Sequence, residues 1–415
     1  MENLTYQKVR NGYDLTWLDI RLEVRRLRRK DDDWRCHLLV GQVVGDGVDL
    51  IWTGNHLLEG PRSRSTLAAE LALSANHIDW RQLLQQLTFR ITEAERQGEP
   101  ILNMAEYPEP EGLNYLLQDW VLEGKPSALF GLGGTGKTWM GLDIVYCLAS
   151  GLDYIGWRTP HPVPTAIFDY ENDPDTTRLR LAKIAKGHNE AMPAILYRQL
   201  SIPMPDMEER IAQDIDEHGI KFALLDSFGL ASGGGQSKDE VIIPVYATLR
   251  RLGIATLIID HESKASNGEY AIGTIYKHNL SRITWQVEAT KEDTEKGDLY
   301  LRASNRKNNE GPRHRPIGIH MMFGPSAMAA KCIDVADLPS DLVAMLPLAT
   351  RIMAALRMGN MDTNEIKEAV GDDGAAVNTR LKEMEKAGKI VQLYPSGGKG
   401  KPAEWGLPSE RRDFE

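Results

Sequence analysis

The sequence predicts an α/β protein with a mostly parallel sheet, preceded by a small α+β domain and followed by a winged helix. Three observations carry that prediction. Between about residues 115 and 325, short apolar runs alternate with segments of helical periodicity, as in parallel sheets covered on both faces. A glycine-rich stretch, Gly131-Leu132-Gly133-Gly134-Thr135-Gly136-Lys137-Thr138, lies where one such run passes into a helix. The rhythm then changes on either side of this region, near residues 100 and 346.

The 415 residues are enough for two or three domains at about 150 residues each, with no need of disulfides or metal to hold a core. With 49 basic and 59 acidic side chains the net charge is −10, which argues against a basic coat for wholesale nucleic-acid binding but leaves room for local basic tracks. Apolar residues at 42% and charged residues at 26% are ordinary for a globular protein. No apolar run approaches the ~18 residues of a membrane span, and Met1–Arg10 is too polar for a signal peptide. Cys36, Cys147 and Cys332 lie too far apart in sequence for a zinc motif or a disulfide framework. A cytoplasmic protein with no membrane partner is the expectation.

In residues 1–100, His37–Val44 and Val48–Trp52 read as strands around the turn signal Gly45-Asp46-Gly47, and Ser65–Ser74 and Trp80–Glu95 as helices. Leu22, Val24 and Leu27 sit among Arg21, Arg25, Arg26, Arg28, Arg29 and Lys30. That pattern reads as a solvated edge strand in preference to a phosphate track. Pro100, Pro108, Pro110 and Gly112 mark a linker or a strap. The central domain, 101–335, has strand candidates Ser127–Phe130, Ala166–Asp169, Ile195–Leu200, Phe222–Asp226, Thr256–Asp260, Ile283–Val287 and Leu299–Ala303. Helical patterns cover Lys137–Ala149, Thr176–His188, Glu208–His218 and Asp239–Leu252. In 346–408, helices Thr350–Arg357, Thr363–Val370 and Ala375–Ala387 precede the apolar stretches Ile390–Tyr394 and Glu404–Leu407, which flank a basic glycine-rich tip. Three helices and a hairpin resemble a winged helix, which serves for DNA contact or for protein docking.

The glycine-rich stretch fits GxxxxGK[ST], the phosphate-binding P-loop. Its glycines let several backbone N–H groups face one phosphate chain. Lys137 supplies charge to the β- and γ-phosphates, Thr138 ligates Mg²⁺, and the following helix adds its positive end. Gly131, Leu132, Gly133, Gly134, Thr135, Gly136, Lys137, Thr138 and the adjoining Trp139 are therefore the expected nucleotide contacts. Asp226, an acid ending an apolar strand, is the expected Mg²⁺ partner. Glu171, in Phe168-Asp169-Tyr170-Glu171-Asn172-Asp173, is the candidate base that activates water, with Asp169 and Asp173 as alternatives. No NKxD-like motif is visible, which favours ATP over GTP.

Taken with the P-loop, the segments FDYENDPDTTRLRL (168–181), ALLDSFGLASGGG (223–235) and IIDHESKASNGEYAIGT (258–274) resemble the RecA-like hexameric ATPases of the plasmid RepA replicative helicase type and related phage and mobile-element ATPases. The resemblance spans about residues 115–325. It implies a RecA-like core that binds ATP and Mg²⁺, with Glu171 activating water and His261 sensing the γ-phosphate. Asp260 stands where one of a usual His-His pair would be, Lys264 matches a following lysine, and Ile272 departs from an arginine common before the glycine that Gly273 matches. Rings of this kind complete each site with a neighbour's arginine. The segment Leu280–Gln286 nominates Arg282, and Arg306 or Lys307 is a second candidate, with Arg306 also expected at the nucleotide. DNA, expected in single-stranded form, would meet the loops Gly229–Ser237 and Glu262–Gly273, with Lys264 and Tyr270, and the winged helix. Arg302, Arg306, Lys307, Arg313, His314 and Arg315 would line a channel or bridge subunits.

The function expected from this is an ATP-hydrolysing motor on DNA, a helicase or translocase in replication or recombination, working as a hexameric ring. Two alternatives are a RadA-like repair or recombination accessory ATPase that does not unwind DNA, and a non-enzymatic, ATP-gated DNA-binding regulator.

Overall fold

The computed structural model describes residues 4–9, 12–30, 33–45, 47–98, 100–109, 112–234, 239–261, 275–291, 297–372, 374–395 and 402–408. The N-terminal part is an antiparallel meander, β1 (Thr5–Val9), β2 (Gly12–Trp17), β3 (Ile20–Lys30), β4 (Asp33–Val44) and β5 (Gly47–Leu57), in that spatial order. Alternation along β2 to β4 puts Tyr13, Leu15, Ile20, Leu22, Val24, Leu38 and Val40 on one face. There they bury against Leu67 and Leu71 of α1 (Pro61–Ser74) and Leu83, Leu84, Leu87 and Ile91 of α2 (Trp80–Gln97).

The basic run is not an edge strand. It is β3, the middle strand of five, and Arg21 and Arg25 are paired with acids nearby. Arg25 pairs with Asp14 at 2.5 Å and Glu23 at 3.1 Å, and Arg21 with Glu23 at 3.0 Å. A bulge between Arg25 and Arg28 turns Arg26 outward, where it donates to the Asp206 carbonyl of the following domain. Cross-strand acids let a charged strand lie centrally, because only one of its faces is dry. Residues 101–109 run exposed between this part and the next.

The central sheet has the order β10-β9-β11-β12-β8-β13-β14-β15-β16 among the described residues. Its strands are β8 (Pro126–Gly131), β9 (Thr165–Asp169), β10 (Ile195–Gln199), β11 (Phe222–Asp226), β12 (Ala255–His261), β13 (Ile283–Ala289), β14 (Leu299–Asn308), β15 (Ile317–Phe323) and β16 (Met328–Ile333). From β10 to β13 every pairing is parallel, and the last three pairings are antiparallel. A short hairpin, β6 (Tyr115–Leu117) and β7 (Val121–Leu122), precedes β8.

Both faces of the inner parallel strands β9, β11, β12 and β8 are sealed, which is why they read as apolar runs. In β11, Phe222 and Leu224 face the core shared with α3 (Lys137–Ser150) and α4 (Pro174–His188). Ala223 and Leu225 face the core shared with α5 (Glu208–His218) and α7 (Asp239–Leu252). α4 lies so close to β16 that a Cβ at Gly187 would fall 1.8 Å from the Met328 carbonyl oxygen. Part of the segment Gly229–Ser237 is α6 (Phe228–Ala231), and the remainder from residue 235 lies outside the described residues.

The strand reading that ends at Ala303 falls short. β14 continues to Asn308, and β15 and β16 extend the sheet in antiparallel steps. The basic cluster there is largely spent as well. Arg302, 5% exposed, pairs with Glu288; Lys307 donates to the carbonyls of His278, Asn279 and Ser281 at 2.7–2.8 Å; and His314 lies 3.3 Å from Asp119. Arg313 and Arg315 remain exposed.

After α8 (Ile275–Leu280) and α9 (Ser340–Ala344), the chain ends in α10 (Leu348–Arg357), β17 (Met361–Asp362), α11 (Thr363–Val370), α12 (Ala375–Lys386), β18 (Val391–Tyr394) and β19 (Glu404–Gly406). The strand order β17-β19-β18 with these helices is a winged-helix arrangement around Ile352, Ile366, Leu381 and Trp405. A full capping box at Asp362 and Glu365 starts α11. Lys399 and Lys401 lie outside the described residues.

Under the central sheet, Trp120 stacks on Trp285 with centroids 4.1 Å apart, Trp157 meets Trp120 edge-on at 5.9 Å, and Trp120 and Trp285 are fully buried. Truncating such a ring leaves a cavity in a packed core. Trp285→Ala is expected to lose about 3–5 kcal/mol of stability, measured as a lowered midpoint of denaturant unfolding.

Candidate nucleotide site

The carboxyl ends of four adjacent parallel strands, β9, β11, β12 and β8, converge on one cleft, the usual place for ligands in an open α/β sheet. Its volume is about 280 Å³, and it is lined by residues 133–139 together with Glu171, Arg180, Asp226, Ile259, His261 and Leu299. The loop after β8 turns through Gly134 and Gly136, at φ 79° and 77°, into the start of α3. A Cβ at Gly131 would lie 2.2 Å from the Val287 carbonyl oxygen, so the neighbouring strand also demands glycine there.

Lys137 is 5% exposed and folds back over its own loop, donating to the carbonyls of Gly131 at 3.0 Å and Leu132 at 2.6 Å. Thr138 Oγ1 donates to Asp226 Oδ2 at 2.9 Å, which joins the P-loop to the end of β11. Asp226 is 1% exposed, and burial pushes its carboxyl up to about 7, opposed by the Thr138 hydrogen bond and reinforced by the charges of Glu171 and Asp169. Its second oxygen, Oδ1, is buried without a hydrogen-bond partner among the described residues. An orphaned buried oxygen beside a threonine hydroxyl suits a hard cation with oxygen ligands, so Thr138 and Asp226 fit Mg²⁺.

Glu171 accepts a hydrogen bond from Ser227 Oγ and lies 3.7 Å from His261 Nε2. Both acidic neighbours of Glu171 are occupied elsewhere. Asp169, 2% exposed, accepts the N–H groups of Glu171 and Asn172 at 2.9 and 2.8 Å and the Thr177 hydroxyl at 3.2 Å, which shapes the turn that carries Glu171. Asp173 caps α4 through Thr176, and these hydrogen bonds hold its carboxyl below the usual range. Of the three acids, Glu171 alone lines the cleft.

Arg180 in the cleft and Ser227 behind Glu171 escape a reading of motifs. Arg180 sits on α4 with its guanidinium 5.6 Å from the Trp139 ring centre, and Phe323 of β15 meets the same ring edge-on at 5.2 Å. Ser227 is hidden by its type, and a hydroxyl next to the candidate metal acid Asp226 is the signal that could have found it. Arg282 and Arg306 do not line this cleft. Arg282 is exposed just before β13, at the opposite end of the parallel strands from the P-loop. Arg306 hydrogen-bonds through Nε to Gln286 at 2.7 Å. Lys264, Tyr270, Ile272 and Gly273 lie outside the described residues.

Asp143, Cys147 and His188 form the one His, Cys and acid group among the described residues with ligand atoms close enough to share an ion. His188 Nε2 lies 2.6 Å from Asp143 Oδ1, and burial pushes the Cys147 thiol up, so the trio serves as a tether between α3 and α4.

Residues 95–267 match a family described as an AAA domain, and this region is a nucleotide-hydrolysing ATPase domain. The chain matches no curated protein. Among solved structures it is similar to a KaiC-like protein of the hyperthermophilic archaeon Pyrococcus horikoshii OT3, at 17% identity and a TM-score of 0.39, over 52% of this chain and 93% of that one. No helix among the described residues is long and apolar enough to cross a membrane.

The Asp226 carboxyl sets a pH dependence. Its folded pKa near 7 lies above the ordinary value of 3.8, so between these values the nucleotide-free folded chain holds a proton that the unfolded chain has released. Stability therefore falls as pH rises through this window, and the loss persists above it. Asp226→Asn removes the penalty and is expected to melt higher than the parent at pH 8, by on the order of 2–4 kcal/mol. In calorimetric titration, Mg²⁺ affinity of the parent should fall about tenfold per pH unit below 7, since the bound carboxylate must be deprotonated.

Proposed function

We propose that this ATPase domain drives a ring-forming motor on DNA, a helicase or translocase, with one ATP·Mg²⁺ at each subunit interface. The observation that carries the ATP-hydrolysing part of this reading is the meeting of Thr138, Asp226, Glu171 and His261, from four separate segments, at one end of the sheet. Lys137 would exchange the carbonyls of Gly131 and Leu132 for phosphate oxygens, a swap that compensates its buried charge in both states. Trp139, with Arg180 and Phe323 against its ring, would border the nucleotide. Bound Mg²⁺, held by Thr138 and Asp226, would neutralise charge on the phosphates.

Glu171 would accept the proton of a water attacking the γ-phosphorus, and ADP and phosphate would leave. Its bond from Ser227 and its approach to His261 would hold the carboxylate toward the phosphate end of the cleft. Arg282 is exposed and remote from its own cleft, which suits a residue that reaches into a neighbour's site. Arg306, held by Gln286, is the weaker candidate for that role. The winged helix offers DNA the outward side of α12, where Asn378, Thr379, Arg380 and Lys382 are exposed. The divisions 1–100, 101–335 and 346–408 would then be a leading domain, the motor and a DNA-contacting domain.

Glu171→Gln is expected to lower turnover by about 10²–10⁴-fold while keeping ATP binding. Arg282→Ala should lose a comparable factor alone, and mixing it with Glu171→Gln should restore part of the activity, because hybrid interfaces pair an intact base with an intact arginine. ATP turnover with and without single-stranded DNA, with particle mass measured on the same sample, tests the whole reading. A monodisperse monomer that turns over ATP at full rate, indifferent to DNA, would sink it.

A further inference from the structure

Behind the cleft lies a buried ion pair that nucleotide binding alone does not explain. Asp260 and Lys277 are each 2% exposed, and their charged atoms are 2.8 Å apart. Burial pushes the Asp260 carboxyl up and the Lys277 ammonium down, and the attraction between the two opposes both shifts. A buried pair of this kind adds little net stability compared with apolar residues of the same shape. Its value is more readily sought in what it positions.

Each member reaches toward a different partner of Glu171. Asp260 Oδ1 accepts the backbone N–H of His261 at 2.8 Å, and His261 carries the imidazole that lies 3.7 Å from Glu171. The Lys277 ammonium sits 4.2 Å from the centre of the Phe228 ring. Phe228 directly follows Ser227, whose hydroxyl donates to Glu171. Lys277 is fixed from behind, because the Tyr246 hydroxyl donates to its carbonyl at 3.1 Å and lies 2.8 Å from Ser281 Oγ. The Tyr246 ring also packs 5.7 Å from that of Phe228.

We propose that the Asp260–Lys277 pair positions the catalytic carboxylate, setting His261 through the end of β12 and Ser227 through Phe228, so that Glu171 is gripped from two sides. Asp260 and Lys277 touch neither nucleotide nor water in this role; they are positioning residues, and the effect belongs to turnover, not to binding. The inference rests on Glu171 being the base.

Two double variants test it in the full-length protein. Asp260→Asn with Lys277→Gln keeps a polar pair and the acceptor for the His261 N–H. Asp260→Leu with Lys277→Met fills the same space and removes both. The readouts are kcat, KM for ATP, and affinity for a fluorescent non-hydrolysable ATP analogue. The first variant is expected to keep at least a third of kcat. The second should fall at least tenfold in kcat, with analogue affinity within twofold of the parent. Equal turnover in the two variants overturns the proposal, and so does a loss of analogue affinity in step with kcat, which marks a pair that merely holds the site together. Glu171→Gln, run alongside, separates the two levels. Full turnover there overturns the base assignment and this inference with it. Loss of turnover there, together with either overturning result in the double variants, removes this inference alone.

Discussion

The structure depends on one constraint: four adjacent parallel strands sealed on both faces leave polar groups to gather at their carboxyl ends. Along β9, β11, β12 and β8 nearly every side chain is buried, and alternate residues of β11 enter two different cores. Backbone pairing holds the strands in register, with Asp226 opposite Asp169 and Ile259, and His261 opposite Gly131. Groups 33 to 130 residues apart in the chain are thereby set side by side.

Burial at this point has an electrostatic consequence. Asp226 is deeply buried with one oxygen unpartnered, so the ligand-free site carries an unfavourable charge that a bound cation would relieve. Lys137 is handled differently, since its ammonium is satisfied by loop carbonyls. Asp260 and Lys277 face each other at 2.8 Å and balance within the pair. The cleft thus holds one acid suited to a counter-ion and one lysine satisfied by its own loop, with a self-balanced pair buried behind it.

Much of the central domain was legible because its local signals agree. The P-loop lies between an apolar strand and a helix, and Phe222–Asp226 is a strand with the bounds expected from its composition. Glu171 is a candidate from its place after β9, and the structure separates it from Asp169 and Asp173, each of which is consumed by a turn or a cap. The reading failed where charge patterns were taken at face value. Arg21–Lys30 became a central strand, and Arg302 and Lys307 became internal supports, because their acidic or carbonyl partners come from other strands and helices.

The sequence by itself determined the alternation of strands and helices, the phosphate-binding loop and the acids at strand ends, because each is written in contiguous residues with a known period or spacing. Only the tertiary structure decided that Arg180 and Phe323 meet at Trp139, that Ser227 and His261 flank Glu171, and that Lys277 neutralises Asp260. Those arrangements depend on how α4, α8 and β15 dock on the sheet. Docking follows from packing and charge pairing between distant segments, and no local pattern encodes it.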